Sequence, residues 1–322
     1  MKYKKLFILC KGDSVTGGSE LVHQLCHELA NLNLESYVSY YPFDNEYNIP
    51  NEYSIYNVNT AQAIDHSDNL IILPEVATKY TFYFKKSKVG IWWLSVDNYY
   101  RKKGDNAIKD QLKYLKDLIR LRLTPLFLMK KFYHFVQSEY AYQHLKDNNI
   151  NSSFLSDYLN PTHFINSETI KENIILYNPV KGIKITQNLI NDNKDFKFVP
   201  LENLTIKEVQ KLFQKAKLYI DFGNHPGKDR MPREAAMANC CVITGMKGSA
   251  SNENDIPIPN KYKFNDNSLL DNSSFRSLVK SIFNNHIEHL NDFVSYKDSI
   301  KSEHKNFQKQ VEQIFTKLLH EK

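Results

Sequence analysis

Cysteine is scarce in this 322-residue chain: Cys10, Cys26, Cys240 and Cys241 are the only four, none in C-x-x-C spacing and each inside an apolar pattern. This excludes a disulfide framework and a zinc ribbon, and it predicts buried free thiols. Long apolar runs are also missing, since nothing approaches the roughly 18 apolar residues of a membrane-spanning helix. The opening Met1-Lys2-Tyr3-Lys4-Lys5, followed by Leu6-Phe7-Ile8-Leu9-Cys10, imitates a secretion signal. Its apolar run is only as long as one buried strand and leads into a Gly-containing loop, so a cytoplasmic location is expected. What is present suffices for a core: 42% of residues are hydrophobic and 13% aromatic. A chain of this length and composition is expected to form two globular domains.

The positive charge is concentrated. The formal net charge is +6, yet the segment from Arg101 to Lys131 holds ten cations against Asp105, Asp110 and Asp117, which is +7 and leaves the remainder about neutral. Apolar residues Leu121, Leu123, Leu126, Phe127, Leu128 and Met129 interleave with these cations. Two readings stand: a segment lying on an anionic membrane leaflet, or an ordinary solvated helix packed on its own domain. No nucleic-acid-binding module accompanies the charge, so no nucleic-acid partner is expected.

Short apolar runs alternate with helical patterns, which predicts βα units and an α/β fold with parallel sheets. In the first half strands are expected at Leu6–Cys10, Ser36–Tyr41, Asn69–Leu73, Val89–Leu94 and Phe135–Gln137, with a helix carrying Leu21, Leu25 and Leu29 after Gly17-Gly18. The pattern breaks around Asn160-Pro161, and polar residues precede a new strand at Ile174–Tyr177. Domains are therefore expected at 1–165 and 166–322. The second half repeats the logic, with helices near Ile183–Ile190 and Ile206–Ala216 and from about Pro232, and strands at Phe196–Val199, Leu218–Phe222 and Cys241–Thr244. Thr205 and Glu208 form a T-x-x-E capping box at the start of the second of these helices. A final helix from about Phe293 is expected, able to pack back on the first domain.

The richest stretch runs from Tyr219 to Ala238. A buried strand ends at Phe222, a polar loop follows, and a helix begins near Pro232, a residue tolerated in a first helical turn. Open α/β sheets bind their ligands off these carboxyl strand ends. His225, Lys228, Arg230 and Arg233 crowd the loop as it enters a helix N-terminus, where free N–H groups already favour an anion. The helix end supplies only roughly 0.3–1 kcal/mol, so Lys and Arg carry most of the attraction for a diphosphate. Glu234, one turn on, either accepts hydrogen bonds from ribose hydroxyls or forms a salt bridge to Arg230 or Arg233.

Glu234-Ala235-Ala236-Met237-Ala238-Asn239 with Cys241-Val242-Ile243-Thr244 resembles the E-A-M-A-x-G-x-P-V block of the donor-binding domain of GT-B glycosyltransferases. The resemblance implies two Rossmann-like domains facing across a cleft, with Glu234 on the ribose of a nucleotide-sugar donor. Lys181-Gly182 resembles the family's K-G step toward the donor phosphates, Gly248-Ser249 stands where a Gly-Gly pair is usual, and Gly17-Gly18-x-Glu20 resembles its G-G-x-E loop. Ser249 and the glycines Gly17 and Gly18 thus join the donor-binding set with Lys181, His225, Lys228, Arg230, Arg233 and Glu234. Asn239 and Cys241 depart from the family's Gly and Pro, and Pro226 stands where retaining members carry an acid. His225 lies nine positions before Glu234, against eight for the phosphate-binding His of inverting members. No Asp-x-Asp occurs, which fits a site without a metal, and no cofactor is expected beyond the donor, by resemblance UDP-linked.

Two carboxylates follow strands in the first domain, Glu75 after Leu73-Pro74 and Asp97 after Trp92-Trp93-Leu94. Both are candidates for handling the proton of an acceptor hydroxyl. The Trp pair either stacks on a sugar or belongs to the core. The expected activity is transfer of a hexosyl group to a glycan or lipid-linked glycan in the synthesis of surface polysaccharide, either capsule or lipopolysaccharide. A nucleotide-sugar 2-epimerase of the same architecture and a non-catalytic nucleotide- or membrane-binding scaffold are the rivals.

Overall fold

The computed structural model describes residues 3–102, 106–164, 169–266 and 272–320, with no side-chain description at 319 and 320. The chain forms two compact units, one of residues 1–157 with 304–322 and the other of residues 158–303. The expected boundary at 165/166 lies outside the described residues.

The first unit runs β1 (Lys5–Lys11), α1 (Gly17–Asn31), β2 (Ser36–Tyr41), β3 (Asn59–Thr60), β4 (Asn69–Pro74), β5 (Lys88–Trp93), α2 (Val96–Tyr99), α3 (Ala107–Ile119), α4 (Leu126–Met129), β6 (Tyr133–Val136), α5 (Glu139–Asp147) and β7 (Ser153–Phe154). Its strands form one sheet in the order β3-β2-β1-β4-β5-β6-β7, and the pairings are parallel. The reversal of strand order between β1 and β4 is the switch point at which such sheets open for ligands. Helix α1 starts at the Gly17-Gly18 step because Thr16 caps it, accepting the Ser19 N–H. Its Leu21, Leu25, Cys26 and Leu29 are buried, as one helical face requires.

The second unit contains β8 (Glu172–Tyr177), α6 (Ile183–Asp192), β9 (Lys197–Pro200), α7 (Ile206–Lys215), β10 (Ala216–Asp221), α8 (Arg230–Met237), β11 (Cys241–Gly245), β12 (Lys263–Phe264), α9 (Asn272–Asn284) and α10 (His286–Asn291). The start of α11 (Val294–His320) also belongs to it, through Glu303. The sheet order is β12-β11-β10-β8-β9, again parallel. The capping box forms as the sequence predicts: Thr205 Oγ1 receives the Glu208 N–H, and Glu208 returns to the Thr205 N–H at 2.7 Å. Each unit has its own apolar core. All four cysteines are free and buried, and burial pushes Cys10, Cys26 and Cys241 up to about 12, so these thiols are inert.

Two details differ from the sequence reading, and one alternative it left open is decided. Helix α8 begins at Arg230, two residues before Pro232; the first N–H groups of a helix have no intrahelical partner, so Pro fits anywhere in that turn. Trp92 and Trp93 are core, their ring N–H groups donating to the Leu155 carbonyl and to His134 Nδ1, and neither presents a face to a sugar. Leu123 and Met129 are likewise core and take no part in an outward apolar surface.

Candidate functional site

In the second unit the candidate residues converge off the carboxyl ends of β8, β10 and β11. Gly182 adopts φ +63, and a Cβ there would collide with the Phe222 carbonyl and Gly223 N. Only glycine lets the turn after β8 lie directly against the loop after β10. That approach carries Lys181 to the loop, where its Nζ lies 2.8 Å from Asp229 Oδ2. On the other flank Gly248, also at positive φ, lies against the His225 carbonyl, and that carbonyl accepts the Ser249 N–H at 2.8 Å. The buried Ser249 hydroxyl donates to the Gly227 carbonyl at 2.6 Å. Ser249 thus holds the loop from beneath.

The cations of this loop are matched by carboxylates. Arg230 Nε is 2.8 Å from Glu234 Oε1, one helical turn away. His163 Nδ1 is 3.1 Å from the same oxygen, at which no well-aligned hydrogen bond forms. Lys228 Nζ and Arg233 Nη1 meet the two oxygens of buried Glu303, at 2.7 and 2.9 Å, and Glu303 Oε2 also accepts the Leu159 N–H. Arg233, 2% exposed, donates in addition to the Asp229 and Lys228 carbonyls. The fully buried His225 lies with Nδ1 3.1 Å from Asp229 Oδ2 and Nε2 3.7 Å from Asp221 Oδ1. Burial disfavours its imidazolium, but Asp221 and Asp229 outweigh burial and hold its pKa above the ordinary histidine value. Burial likewise opposes the Asp229 carboxylate, yet His225 and Lys181 bring it down to about 2.

These pairs differ in how easily they can be exchanged for a ligand. Lys181 and Arg230 are about one-third exposed along their side chains, with their carboxylates 17% and 7% exposed, so these cations can turn away more easily than one buried with its partner. A diphosphate can compete for them. Arg233 and Glu303 are buried together, and removing one partner of such a pair costs about 3–5 kcal/mol. The structure therefore corrects the grouping of Arg233 with the phosphate-facing cations: it braces the loop from inside. Asp221, His225 and Asp229 have ligand atoms within 4.8 Å of one another, the one such acidic and histidine cluster among the described residues. The Lys181 ammonium, 2.8 Å from Asp229 Oδ2, already supplies positive charge there.

Asn239, standing where the family pattern has Gly, adopts φ +59. Asparagine visits the left-handed region more readily than most side chains, so the departure in sequence preserves the turn after α8.

In the first unit Gly18, Glu75 and Asp97 gather at the carboxyl ends of β1, β4 and β5. Gly17 has open space around it, and a Cβ at Gly18 would touch a Leu94 methyl at 3.8 Å. Glu75 Oε2 accepts the Leu94 N–H at 2.9 Å, and burial pushes the carboxyl up to about 7. A pKa near neutrality suits a general base, but the burial that raises it also seals Glu75 away, and its visible work is to join the ends of β4 and β5. Asp97, in the first turn of α2, accepts the Tyr140 hydroxyl at 3.1 Å, with Lys102 Nζ at 3.8 Å. A cavity of about 560 Å³ in this unit, lined by Thr81, Phe82, Lys85, Lys88, Lys131 and Phe132 among others, contains none of the expected site residues.

No protein-family model and no curated protein sequence matches the chain. Solved structures do. A glycosyltransferase from Rickettsia africae superposes with a TM-score of 0.67 at 12% identity, over 100% of both chains. The fold is that of the GT-B glycosyltransferases. Sucrose-phosphate synthase from Thermosynechococcus elongatus gives a TM-score of 0.70 at 10% identity, over 98% of this chain and 99% of that one. HepE of Anabaena, in complex with UDP-glucose, gives 0.64 at 8% identity, over 97% and 99%. At these identities the likeness is one of architecture. No described helix is long and apolar enough to cross a membrane.

Asp221, Asp229, His163 and Glu303 were not among the sequence candidates. Asp221, His225 and Asp229 stand four apart, a spacing visible in the sequence. Glu303, seventy residues beyond Arg233, gave no such signal.

Proposed function

We propose that the chain is a glycosyltransferase that takes a hexosyl group from a nucleotide diphosphate sugar, without a metal, and places it on a glycan or lipid-linked glycan. The observation that carries this reading is the loop after β10, where Lys228 and Arg230, with Lys181 from the turn after β8, gather around the α8 N-terminus on a glycosyltransferase fold. The two part-exposed cations, Lys181 paired with Asp229 and Arg230 paired with Glu234, turn toward the diphosphate, while His225, Arg233 and Ser249 hold the loop. Glu234, released from Arg230, takes the ribose. A uridine donor is favoured because HepE and TarM were solved in complexes with UDP-glucose and UDP respectively. Gly17 and Gly18 of the first unit belong with the donor-binding set, and Asp97 and Glu75 are the acceptor-side carboxylates.

Surface-polysaccharide synthesis, as capsule or lipopolysaccharide, is the pathway class in which such an enzyme belongs. A lipid-borne acceptor would place it at the inner face of the membrane, with the cationic segment 101–131 toward the lipid. The test is UDP titration by calorimetry. Arg230→Ala should weaken UDP binding by about tenfold, the loss of one charge-assisted contact of ~1.5–3 kcal/mol offset by the pair it leaves. UDP affinity unchanged in both Arg230→Ala and Glu234→Ala would refute the site.

A further inference from the structure

We propose that the outward face of α3 docks flat on an anionic phospholipid bilayer. The proposal deepens the membrane part of the reading above and rests on it only for its biological purpose.

Ile108, Leu112, Leu115 and Ile119 are 74%, 62%, 46% and 83% exposed. At ~100° per residue they fall within about 60° of one another, a stripe about 16 Å long. A surface helix ordinarily turns its apolar stripe to the core, but α3 does the reverse. Its inner side is Tyr114 and Leu118 packed against the first unit's core, together with buried Asp117, which Arg101 Nε holds at 2.8 Å. Beyond the helix Leu121, Phe127 and Leu128 are exposed as well, while Leu123 and Met129 anchor the segment in the core. The stripe is thus held outward by a built inner face.

The flanking charge selects the occupant. Lys109, Lys113, Lys116 and Arg120 lie along one edge of the stripe and are exposed, against two acids toward the inner side, half-buried Asp110 and buried Asp117, of which Asp117 is paired with Arg101 and Arg122, so the edge keeps a net positive charge. A second copy would bring the same lysines onto themselves across a two-fold axis, which repels. A bilayer with acidic headgroups satisfies both features: phosphates meet the lysines and the acyl boundary receives the stripe. Thirteen residues of helix cannot span, so α3 lies in the interface plane.

The test is co-sedimentation of the full chain with phosphatidylcholine vesicles, with and without phosphatidylglycerol. Wild type should sediment with the phosphatidylglycerol vesicles alone, and less at raised salt. The double substitution Leu112→Ser with Ile119→Ser, and the triple Lys109→Gln, Lys113→Gln and Lys116→Gln, should each lower partitioning on the order of tenfold or more. These positions are exposed, so folding is kept. Wild-type binding by either variant, no binding of the wild type, or a stripe that instead turns out to mediate a dimer by sedimentation velocity would overturn the proposal. UDP titration on the same preparations separates the two readings. Retained UDP binding without vesicle binding sinks the docking face alone, and lost UDP binding with docking intact sinks the donor site alone.

Discussion

Replacing Glu75 by Gln isolates a single buried charge in the first unit. Glu75 lies at the end of β4 with Oε2 on the Leu94 N–H, and burial raises its pKa from 4.5 to about 7. A carboxyl whose pKa is higher folded than unfolded binds its proton more tightly in the native state. The stability it lends is complete below about pH 4.5 and is lost as pH rises through 7. At ~1.36 kcal/mol per pH unit the loss amounts to about 3 kcal/mol for this unit, undiminished by solvent screening because the group is buried. Gln keeps an amide oxygen for the Leu94 N–H and has no proton to give up. Wild type should therefore lose about 3 kcal/mol relative to Glu75→Gln between about pH 5 and about pH 8. Both tryptophans, Trp92 and Trp93, lie on β5 beside this contact, so urea unfolding followed by their fluorescence reports the first unit specifically. Parallel stability curves for the two proteins, within ~0.5 kcal/mol across that range, would show that Glu75 titrates as a solvated carboxyl, and the account of its burial would be wrong.

Gly182→Ala should destabilise the second unit by about 1–3 kcal/mol or more, since it combines a left-handed backbone with a collision against Phe222. Thermal unfolding followed by circular dichroism measures it, and a change below ~0.5 kcal/mol would mean the turn after β8 can move away from the loop. Glu303→Ala should cost the same unit about 3–5 kcal/mol by leaving Arg233 buried without its counter-charge. A smaller loss, with UDP affinity intact, would show that the Lys228 and Arg233 contacts contribute little.

The architecture was legible because its signals are local. Buried parallel strands such as β4 and β11 read as continuous apolar runs, and the stripes of α1 and α7 repeat at helical spacing. Ser36–Tyr41 comes out at the expected bounds, and the Thr205–Glu208 box forms as drawn. The two-residue strands β3, β7 and β12 carry no period long enough to detect. Helix α3 was illegible in a more instructive way. Its stripe at 108, 112, 115 and 119 has the spacing of a core-facing helix, and periodicity alone does not reveal which side of a helix the fold covers. Only the packing of Tyr114, Asp117 and Leu118 decides that.

The loop after β10 was half legible for a related reason. Cations crowded before a helix N-terminus stand next to one another in the chain, so the sequence displays them together. The carboxylates that set their availability do not. Glu303 comes from α11 and His163 from the segment before β8, and each reaches its partner only through the tertiary fold. Counting cations in the loop therefore overstates the charge open to a phosphate. Lys181 and Arg230 are themselves about one-third exposed and can leave their carboxylates more easily, whereas Arg233 is buried together with Glu303 and does not. On the proposed reading, a phosphate ligand would meet a loop of modest positive charge, shaped in advance by a buried ion pair, and its affinity would depend on Lys181 and Arg230 leaving their carboxylates.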